Sequence, residues 1–326
     1  MLTTTIAGKS VSRLGFGCYP LTGGYGKVDP GQGFGIIHAA LEAGVRLLDT
    51  SDAYAAGANE ELVGRAVADR REAAVICTKF GWVLDAEGKA ARLDSSPAHV
   101  RNACEASLKR LRTDYIDLYL QHRQDPTLPI EETVGELLKL KEEGKVRSFG
   151  LCEVSAETLR RAHSVMPVEA LQTEYSLWSR EPETELLPAC ERLGAKFIAY
   201  SPLGRGFLSG GIRSTGALSS GDFRRTHPRF EDANLANNLD LVDRLNEIAL
   251  RLERTPSQLA LAWLMAQPWD VVPIPATTRL EHFEQNLRAL EIELSAADLE
   301  AIGNAMPPGQ VQGARHPADH MKTINQ

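Results

Sequence analysis

The sequence predicts a closed α/β barrel of the (β/α)8 or TIM-barrel type, and three observations lead to that fold class. Short β-branched or apolar runs alternate with amphipathic segments of helical length along the chain. Eight runs of the first kind can be counted, and such alternation implies parallel strands joined by right-handed crossovers. No change in composition divides the 326 residues, and a barrel of this type takes about 250 residues plus extensions. A single domain covering residues 1–326 is therefore expected.

The predicted elements follow the hydrophobic period, which is two residues in a strand and 3.6 in a helix. The eight predicted strands are residues 14–17, 46–49, 74–79, 116–122, 148–151, 170–174, 196–200 and 271–273. The predicted helices are residues 34–43, 60–68, 97–111, 130–143, 156–164, 183–193, 239–252 and 280–289. The last of these helices follows the last strand, as a complete set of eight units requires.

Two additions frame the predicted barrel. Residues 3–12, with a Gly8-Lys9 turn, predict a small N-terminal β-hairpin that plugs the bottom of the barrel. Residues 295–304 predict an extra C-terminal helix with Ser295 as its N-cap. The longest irregular stretch, residues 207–237, is rich in Gly, Ser and Arg. Loops of that length usually bind ligands or cover a site.

Composition excludes several classes of function. A hydrophobic content of 43% and a charged content of 24% are those of a globular protein with a large core. The net charge of -7 and the lack of a clustered basic patch argue against a nucleic-acid surface. No stretch approaches the roughly 18 to 20 apolar residues that cross a bilayer. The N-terminus has neither an apolar nor an amphipathic leader, so a cytoplasmic protein without membrane partners is expected.

Cysteine and histidine usage predicts neither a disulfide framework nor a metal site. An odd number of cysteines without a CxxC pair is typical of reduced thiols in a cytoplasm, and these five are Cys18, Cys77, Cys104, Cys152 and Cys190. His316 and His320 have the spacing of two ligands on one helix, but Pro317 lies between them and no glutamate follows His316.

Three ionisable side chains end three successive predicted strands. In a parallel barrel alternate strand residues point inward, and the chemistry lies at the carboxyl ends of the strands. If the apolar side chains of these strands face inward, Asp49, Lys79 and His122 are the last inward residues. Tyr54 lies five residues beyond Asp49, in the following loop. Taken singly, each has an ordinary structural explanation, such as a turn cap or a solvent-exposed charge. Their convergence on one rim favours a catalytic site.

This group of side chains suits the protonation of an oxygen that develops negative charge. A tyrosine hydroxyl has an ordinary pKa near ~10, and a neighbouring ammonium is expected to lower it. Lys79 supplies that charge, and Asp49 holds the lysine by an ion pair. A neutral His122 orients a carbonyl oxygen by a hydrogen bond. The four residues do not by themselves indicate a source of hydride.

Seven ordered segments resemble those of the aldo-keto reductase superfamily, in its bacterial and plant branch. The first carries the Asp and Tyr at residues 46–54 and continues at residues 59–64; the lysine and histidine strands are residues 76–81 and 117–123. The remaining matches are residues 150–155, 171–177, 199–206 and 273–279, followed by Asn286. The resemblance covers nearly the whole chain. It implies an oxidoreductase that reduces aldehydes or ketones, with Tyr54 as proton donor beside Asp49, Lys79 and His122.

The resemblance also implies NADP(H) bound across the barrel mouth, with NAD(H) as an alternative cofactor. The residues that it assigns to the cofactor are Cys152, Glu153, Gln172, Tyr200, Ser201, Leu203, Gly204, Arg205, Gly206, Ser209, Thr277, Arg279, Gln285 and Asn286. Cys152, Glu153 and Gln172 are expected at the nicotinamide carboxamide, Tyr200 on the ring, and residues 203–209 around the pyrophosphate. Four positions depart from the family pattern. Glu153 stands where many members have Asn, and Gln285 stands where many have Glu. Cys152 replaces a serine, and Ala276 stands where many members have Lys or Gly, which leaves the 2′-phosphate to Thr277 and Arg279.

The substrate is expected to be a small carbonyl compound. Tyr19, Trp82 and Trp178 follow strand ends and are predicted to form an apolar wall, although each could simply cover the barrel rim. Two other functions remain open: a non-catalytic, NADPH-binding redox sensor of the same fold, and an aldolase that forms a Schiff base on Lys79. The sequence leaves the physiological substrate and the choice between monomer and homo-oligomer open.

Overall fold

A computed structural model describes residues 2–26 and 28–324 of the chain. Its strands are β1 (Thr3–Ile6), β2 (Lys9–Ser12), β3 (Phe16–Gly17), β4 (Leu47–Asp49), β5 (Val75–Phe80), β6 (Trp82–Leu84), β7 (Ala90–Leu93), β8 (Ile116–Gln121), β9 (Val146–Cys152), β10 (Ala170–Glu174), β11 (Lys196–Tyr200) and β12 (Val271–Pro273). Its helices are α1 (Pro30–Glu42), α2 (Ala58–Ala66), α3 (Pro97–Leu111), α4 (Ile130–Glu142), α5 (Ala156–Val165), α6 (Leu186–Leu193), α7 (Asp232–Arg251), α8 (Pro256–Met265), α9 (Leu280–Leu287), α10 (Ala296–Ala305) and α11 (Ala318–Met321).

Eight of these strands form one parallel sheet that closes into a barrel. Their order in the sheet is β3, β4, β5, β8, β9, β10, β11 and β12, which is also their order in the chain. The outer strands β3 and β12 meet through backbone hydrogen bonds, from Gly15 N to Pro273 O at 2.9 Å and from Gly17 N to Pro275 O at 3.1 Å. The predicted (β/α)8 fold class is confirmed, and all eight predicted strands are present.

The predicted N-terminal hairpin is formed by β1 and β2, with its turn one residue earlier than expected. Ile6 pairs with Lys9, so the two turn residues are Ala7 and Gly8, whose φ angles are 51° and 73°. Two successive left-handed residues are the requirement of a type I′ turn, whose twist matches that of the strands. Lys9 was placed in the turn and lies in β2 instead. Ile6 and Val11 pack with the apolar side chains of the barrel interior, so the hairpin plugs one end.

Sequence periodicity missed α8 and the β6–β7 hairpin. All residues of α8 from Gln258 to Met265 are buried, so the helix lacks the polar face from which an amphipathic period is read. Its start did carry a local signal, because Thr255 and Gln258 form a capping box. The predicted C-terminal helix is present as α10, with Ser295 as its N-cap.

The long irregular stretch predicted at residues 207–237 is shorter than expected. It contains short 3-10 turns at residues 215–217, 223–226 and 228–230, and α7 begins at Asp232. The C-terminal segment that follows α10 crosses back over α7, where Gln312 N donates to Asn238 Oδ1 at 2.9 Å. Among the described residues, no helix is long and apolar enough to span a membrane.

Candidate active site

Asp49 and Lys79 form a buried ion pair inside the mouth of the barrel. Asp49 ends β4 and Lys79 is the penultimate residue of β5. Lys79 Nζ lies 2.7 Å from Asp49 Oδ1 and donates a second bond of 2.7 Å to the carbonyl of Thr50. The lysine side chain is 0% exposed and the aspartate side chain 4%. The second oxygen of Asp49 accepts a 2.7 Å bond from Gln172 Nε2, so the carboxylate is fully engaged.

Tyr54 approaches this pair from the loop that follows β4. Its hydroxyl lies 3.3 Å from Lys79 Nζ. The next two residues, Ala55 and Ala56, have left-handed φ angles of 49° and 50°, which alanine adopts only at a cost. This tight 3-10 turn directs the tyrosine back over the barrel mouth. The edge of the Tyr19 ring contacts Tyr54, with ring centroids 4.9 Å apart.

The electrostatics of the pair decide the protonation states at neutral pH. Burial acts to lower the pKa of Lys79, but the Asp49 carboxylate together with the neighbouring Tyr54, Cys77 and Cys152 side chains raises that pKa above its usual value. Burial raises the pKa of Tyr54 despite the opposing charge of Lys79. The sequence predicted that the ammonium lowers the pKa of Tyr54. The net shift is in the opposite direction, because desolvation of the phenolate outweighs the charge of Lys79. Lys79 is an ammonium and Tyr54 a neutral phenol.

His122 completes the set of four predicted catalytic residues. It directly follows β8, and its Nδ1 lies 3.2 Å from Ser51 Oγ. Burial, with the nearby charges of Arg123 and Lys79, holds the pKa of His122 well below its usual value. The imidazole is therefore neutral at pH 7. The Tyr54 and His122 rings meet edge to face at 5.9 Å, so the structure brings all four predicted residues together.

A cavity of about 1040 Å³ opens beside the four residues. Asp49, Tyr54 and His122 line it, and so does the loop after β12 that carries Thr277 and Arg279. Among the described residues that line this cavity, Asp49 is the only carboxylate, and Lys79 neutralises it. Such a lining favours ligands with negative charge.

Most of the residues assigned to a cofactor line this cavity. They are Gln172, Tyr200, Ser201, Leu203, Arg205, Gly206, Ser209, Thr277, Arg279, Gln285 and Asn286. The backbone N–H groups of Gly204, Gly206 and Leu208 donate to carbonyls of the same loop, so these three are not free to bind a pyrophosphate. The side chain of Arg205 is also occupied, since it forms a buried 2.8 Å ion pair with Glu174.

Cys152, Glu153 and Gly204 do not line the cavity, contrary to the sequence-based assignment. Cys152 is buried among the apolar side chains of the barrel interior, and that burial raises its pKa to about 12. Gly204 is packed against Trp178: a Cβ added there would lie 2.5 Å from the indole. Cys152 is therefore covered by its neighbours inside the barrel, and Gly204 is covered by the indole of Trp178.

Glu153 is bound by the C-terminal segment, which sequence reasoning did not foresee. Arg315 donates to both of its oxygens at 2.8 Å and 2.7 Å, and the Tyr200 hydroxyl donates to it at 2.7 Å. The same hydroxyl lies 3.0 Å from His316 Nε2. Arg315 is 162 positions from Glu153 in the chain, and no local pattern links them. Glu153 therefore anchors the tail and Tyr200.

Of the three predicted substrate residues, two line the cavity. Tyr19 and Trp82 do so, whereas Trp178 is 3% exposed. Trp178 stacks on Phe207 at a centroid distance of 5.1 Å, beneath the loop at residues 203–209. Its predicted role in the substrate wall is wrong, because that loop covers it. Tyr25 and Phe223, which were not predicted, stack at 5.5 Å and line the cavity beside Tyr19.

Comparison with known proteins decides the family. The model of the Aldo/keto reductase family matches residues 13–306, nearly the whole chain. The chain belongs to the aldo/keto reductase family. A probable aldo-keto reductase 1 of Glycine max is 47% identical over 313 residues, which are 95% of this chain and 89% of that protein. This aldo/keto reductase is therefore an oxidoreductase, as predicted.

Solved structures of other aldo/keto reductases share the fold. A glycerol dehydrogenase of Gluconobacter oxydans superposes with a TM-score of 0.85 at 31% identity, over 94% of this chain and 96% of that one. An aldo-keto reductase of Klebsiella pneumoniae in complex with NADPH gives a TM-score of 0.75 at 28% identity, over 97% and 99% of the two chains.

Proposed function

We propose that this aldo/keto reductase reduces aldehydes or ketones to alcohols with NADPH, and that Tyr54 is the proton donor. The observation that carries the proposal is the Tyr54 hydroxyl 3.3 Å from Lys79 Nζ, which is itself paired with Asp49 at 2.7 Å. These side chains meet at the wall of a cavity that can hold a substrate and a cofactor together. A carbonyl oxygen placed against Tyr54 and His122 would receive a proton from the first.

The chain's own residues supply the proton and control its position. NADPH, when bound, supplies a hydride from C4 of its nicotinamide ring to the carbonyl carbon. Tyr54 transfers its phenolic proton to the oxygen, which as an alkoxide is more basic than a phenolate. Lys79 stabilises the tyrosinate until solvent returns a proton. In the tautomer in which His122 Nδ1 accepts from the Ser51 hydroxyl 3.2 Å away, Nε2 carries the proton and donates a hydrogen bond to the substrate oxygen.

The cavity fits a negatively charged dinucleotide. Arg224 and Arg279 line it, with the hydroxyls of Thr277 and Ser257. Arg279 is exposed, and within the part of the chain that the structure describes it pairs only with Glu281, two residues along the chain, so it can turn toward a 2′-phosphate. The Klebsiella pneumoniae relative was solved with NADPH, which supports the same cofactor here. NAD(H) stays an alternative, since Ala276 offers no charge.

The Schiff-base alternative is opposed by the charge on Lys79. A nucleophilic lysine must be a neutral amine, whereas Asp49 holds the pKa of Lys79 above its usual value. A redox sensor of this fold would differ from the proposed reductase in its rate of NADPH oxidation. A pure sensor would bind NADPH and oxidise it negligibly in the presence of any aldehyde, whereas the proposed reductase turns over.

Replacing Tyr54 with Phe tests the proposal. Y54F is expected to lower kcat for a reactive aldehyde by about 100- to 10,000-fold, because general acid catalysis is lost. NADPH binding, measured by quenching of protein fluorescence, should persist. Tyr115→Phe is the matched control, since that hydroxyl bonds Glu72 at an exposed site and does not line the cavity. Retained turnover in Y54F, followed by the loss of reduced-nicotinamide absorbance, would sink the assignment.

A further inference from the structure

Arg123 is a cation beside the catalytic residues that the reaction described above does not use. It directly follows His122, and both residues line the cavity with Tyr54. Its Nη1 donates to the carbonyl of His122 at 2.7 Å, which holds the guanidinium near the proposed catalytic end. Its Nε is buried and donates to no protein acceptor. A guanidinium has five N–H donors, so most of its capacity is unspent.

No carboxylate in the described part of the chain forms an ion pair with Arg123. The candidates around it are already engaged. Glu153 is held by Arg315 and the Tyr200 hydroxyl. Asp49 is held by Lys79 and Gln172, and Asp125 accepts from the backbone and hydroxyl of Thr127. A partly buried cation without a partner is costly, so proteins usually keep one for a ligand.

The other ionisable neighbours of Arg123 add no negative charge. Burial holds the pKa of His316 at about 2, and burial together with the charges of Arg123 and Arg205 lowers that of His320. Both imidazoles line the cavity and are neutral at pH 7. The other arginines of the lining already have partners: Arg224 pairs with Asp222, Arg205 with Glu174, and Arg279 with Glu281. Among the described residues of the lining, Arg123 alone offers an uncompensated charge.

We propose that Arg123 binds a carboxylate carried by the substrate, so that the preferred substrates are aldehydes or ketones with an acid group. This inference rests on the proposed reductase function. Apart from the Nη1 bond to the His122 carbonyl, the guanidinium makes no hydrogen bond to a described residue, so its remaining N–H groups can donate to the oxygens of a carboxylate that enters the cavity. Tyr19, Tyr25 and Phe223 supply an aromatic wall of the same cavity, which suits a short apolar body between the acid and the carbonyl.

The test compares an acid with its neutral ester. Reduction of 4-carboxybenzaldehyde and of its methyl ester is measured for the native enzyme, Arg123→Gln, Arg123→Lys and a control. R123Q is expected to lower the acid-to-ester ratio of kcat/KM by about 10- to 100-fold, mainly through KM, because a charge-assisted hydrogen bond is lost. R123K retains the charge but not the guanidinium geometry, so its ratio should lie between those of R123Q and the native enzyme. Arg160→Gln is the control: Arg160 is 54% exposed and pairs with Glu157 on α5.

The possible outcomes are distinct. A ratio in R123Q within threefold of the native value, or a change confined to KM for NADPH, overturns the inference while the reductase function stands. If the native enzyme oxidises NADPH with neither aldehyde, the proposed reductase function is contradicted instead. Binding of benzoate and benzamide by calorimetry, with and without NADP+, then tests Arg123 without turnover: the native protein should prefer benzoate at least tenfold, and R123Q should not. Equal binding of the two by the native protein contradicts the inference.

Discussion

Lys79 shows how one buried charge organises the catalytic end of the cavity. Its ammonium donates to a carboxylate, a backbone carbonyl and the Tyr54 hydroxyl. Those three bonds use all its donors, so the lysine fixes both the loop after β4 and the proton donor. The ion pair with Asp49 compensates for taking both charges out of water, and loss of either partner leaves the other unpaired.

Replacing Lys79 with Met should cost both stability and activity. K79M leaves the Asp49 carboxylate buried with Gln172 as its remaining side-chain donor, and the free energy of unfolding should fall by about 3–5 kcal/mol. Without the ammonium beside the tyrosinate, kcat should fall by about 100-fold or more. Urea denaturation and steady-state assays measure the two effects.

The double variant K79M/D49N separates the two roles of the pair. It removes the orphaned charge, so it should recover most of the lost stability while activity stays low. Recovery of activity together with stability would contradict a direct role of Lys79 in the reaction.

The side-chain alternation of strands predicted the position of the charged residues but not their protonation. Asp49, Lys79 and His122 could be placed on the inner face because the strand period is local. The pKa of Tyr54 was predicted in the wrong direction, since its ring packs against the rings of Tyr19 and His122. Burial is a property of the packed molecule, and no residue pattern near Tyr54 encodes it.

At the scale of elements, the loop at residues 203–209 depends on one glycine. Gly204 has a φ of +54°, and a Cβ there would lie 2.5 Å from the buried Trp178 ring. A side chain would have to push the loop outward or displace the indole, and Trp178 stacks on Phe207 of the same loop. The cavity wall formed by Leu203 and Gly206 would move with it.

Gly204→Ala should therefore weaken cofactor binding. We expect KM for NADPH to rise by about tenfold or more while Tyr54 and Lys79 stay in place, because the loop loses its conformation. Gly211→Ala is the matched control, since Gly211 lines the same cavity but has no left-handed φ and no contact closer than 3.5 Å. Equal KM values for NADPH in the two variants would show that the loop tolerates the clash.

The C-terminal segment is the element that sequence reasoning described least well. The contacts of Arg315 with Glu153 and of His316 with Tyr200 join positions more than 100 apart in the chain, and no local pattern links such positions. α8 was missed for a related reason, because a helix buried on every side has no amphipathic period. The C-terminal segment and α8 are therefore set by contacts with distant parts of the chain.

At the scale of the whole molecule, buried neutral histidines link stability to pH. Burial, with the charge of Arg205, holds the pKa of His227 at about 3, and burial holds that of His316 at about 2. In the unfolded chain each has a pKa near ~6.5. Below that pH the unfolded state takes up protons that the folded state does not, so the stability that is present above pH 6.5 is lost as the pH falls.

The free energy of unfolding should drop by about 2 kcal/mol for each of these histidines between pH 7.5 and pH 5, or about 4 kcal/mol for both. Urea denaturation at a series of pH values measures the slope. His227→Gln should make the slope shallower by about one proton over this range. An identical pH dependence in that variant would contradict the depressed pKa of His227.

The sequence by itself determined the barrel, its eight strands and the four residues at its mouth. These follow from periods of two and 3.6 residues and from ordered motifs. Both are local features of the sequence that can be read without knowing which residues are in contact. Only the tertiary structure decided that Trp178 is covered, that Cys152 and Glu153 do not line the cavity, and that Arg123 forms no ion pair with a described carboxylate. Those facts depend on which distant side chains share a space, since burial and charge compensation arise only when the chain has packed.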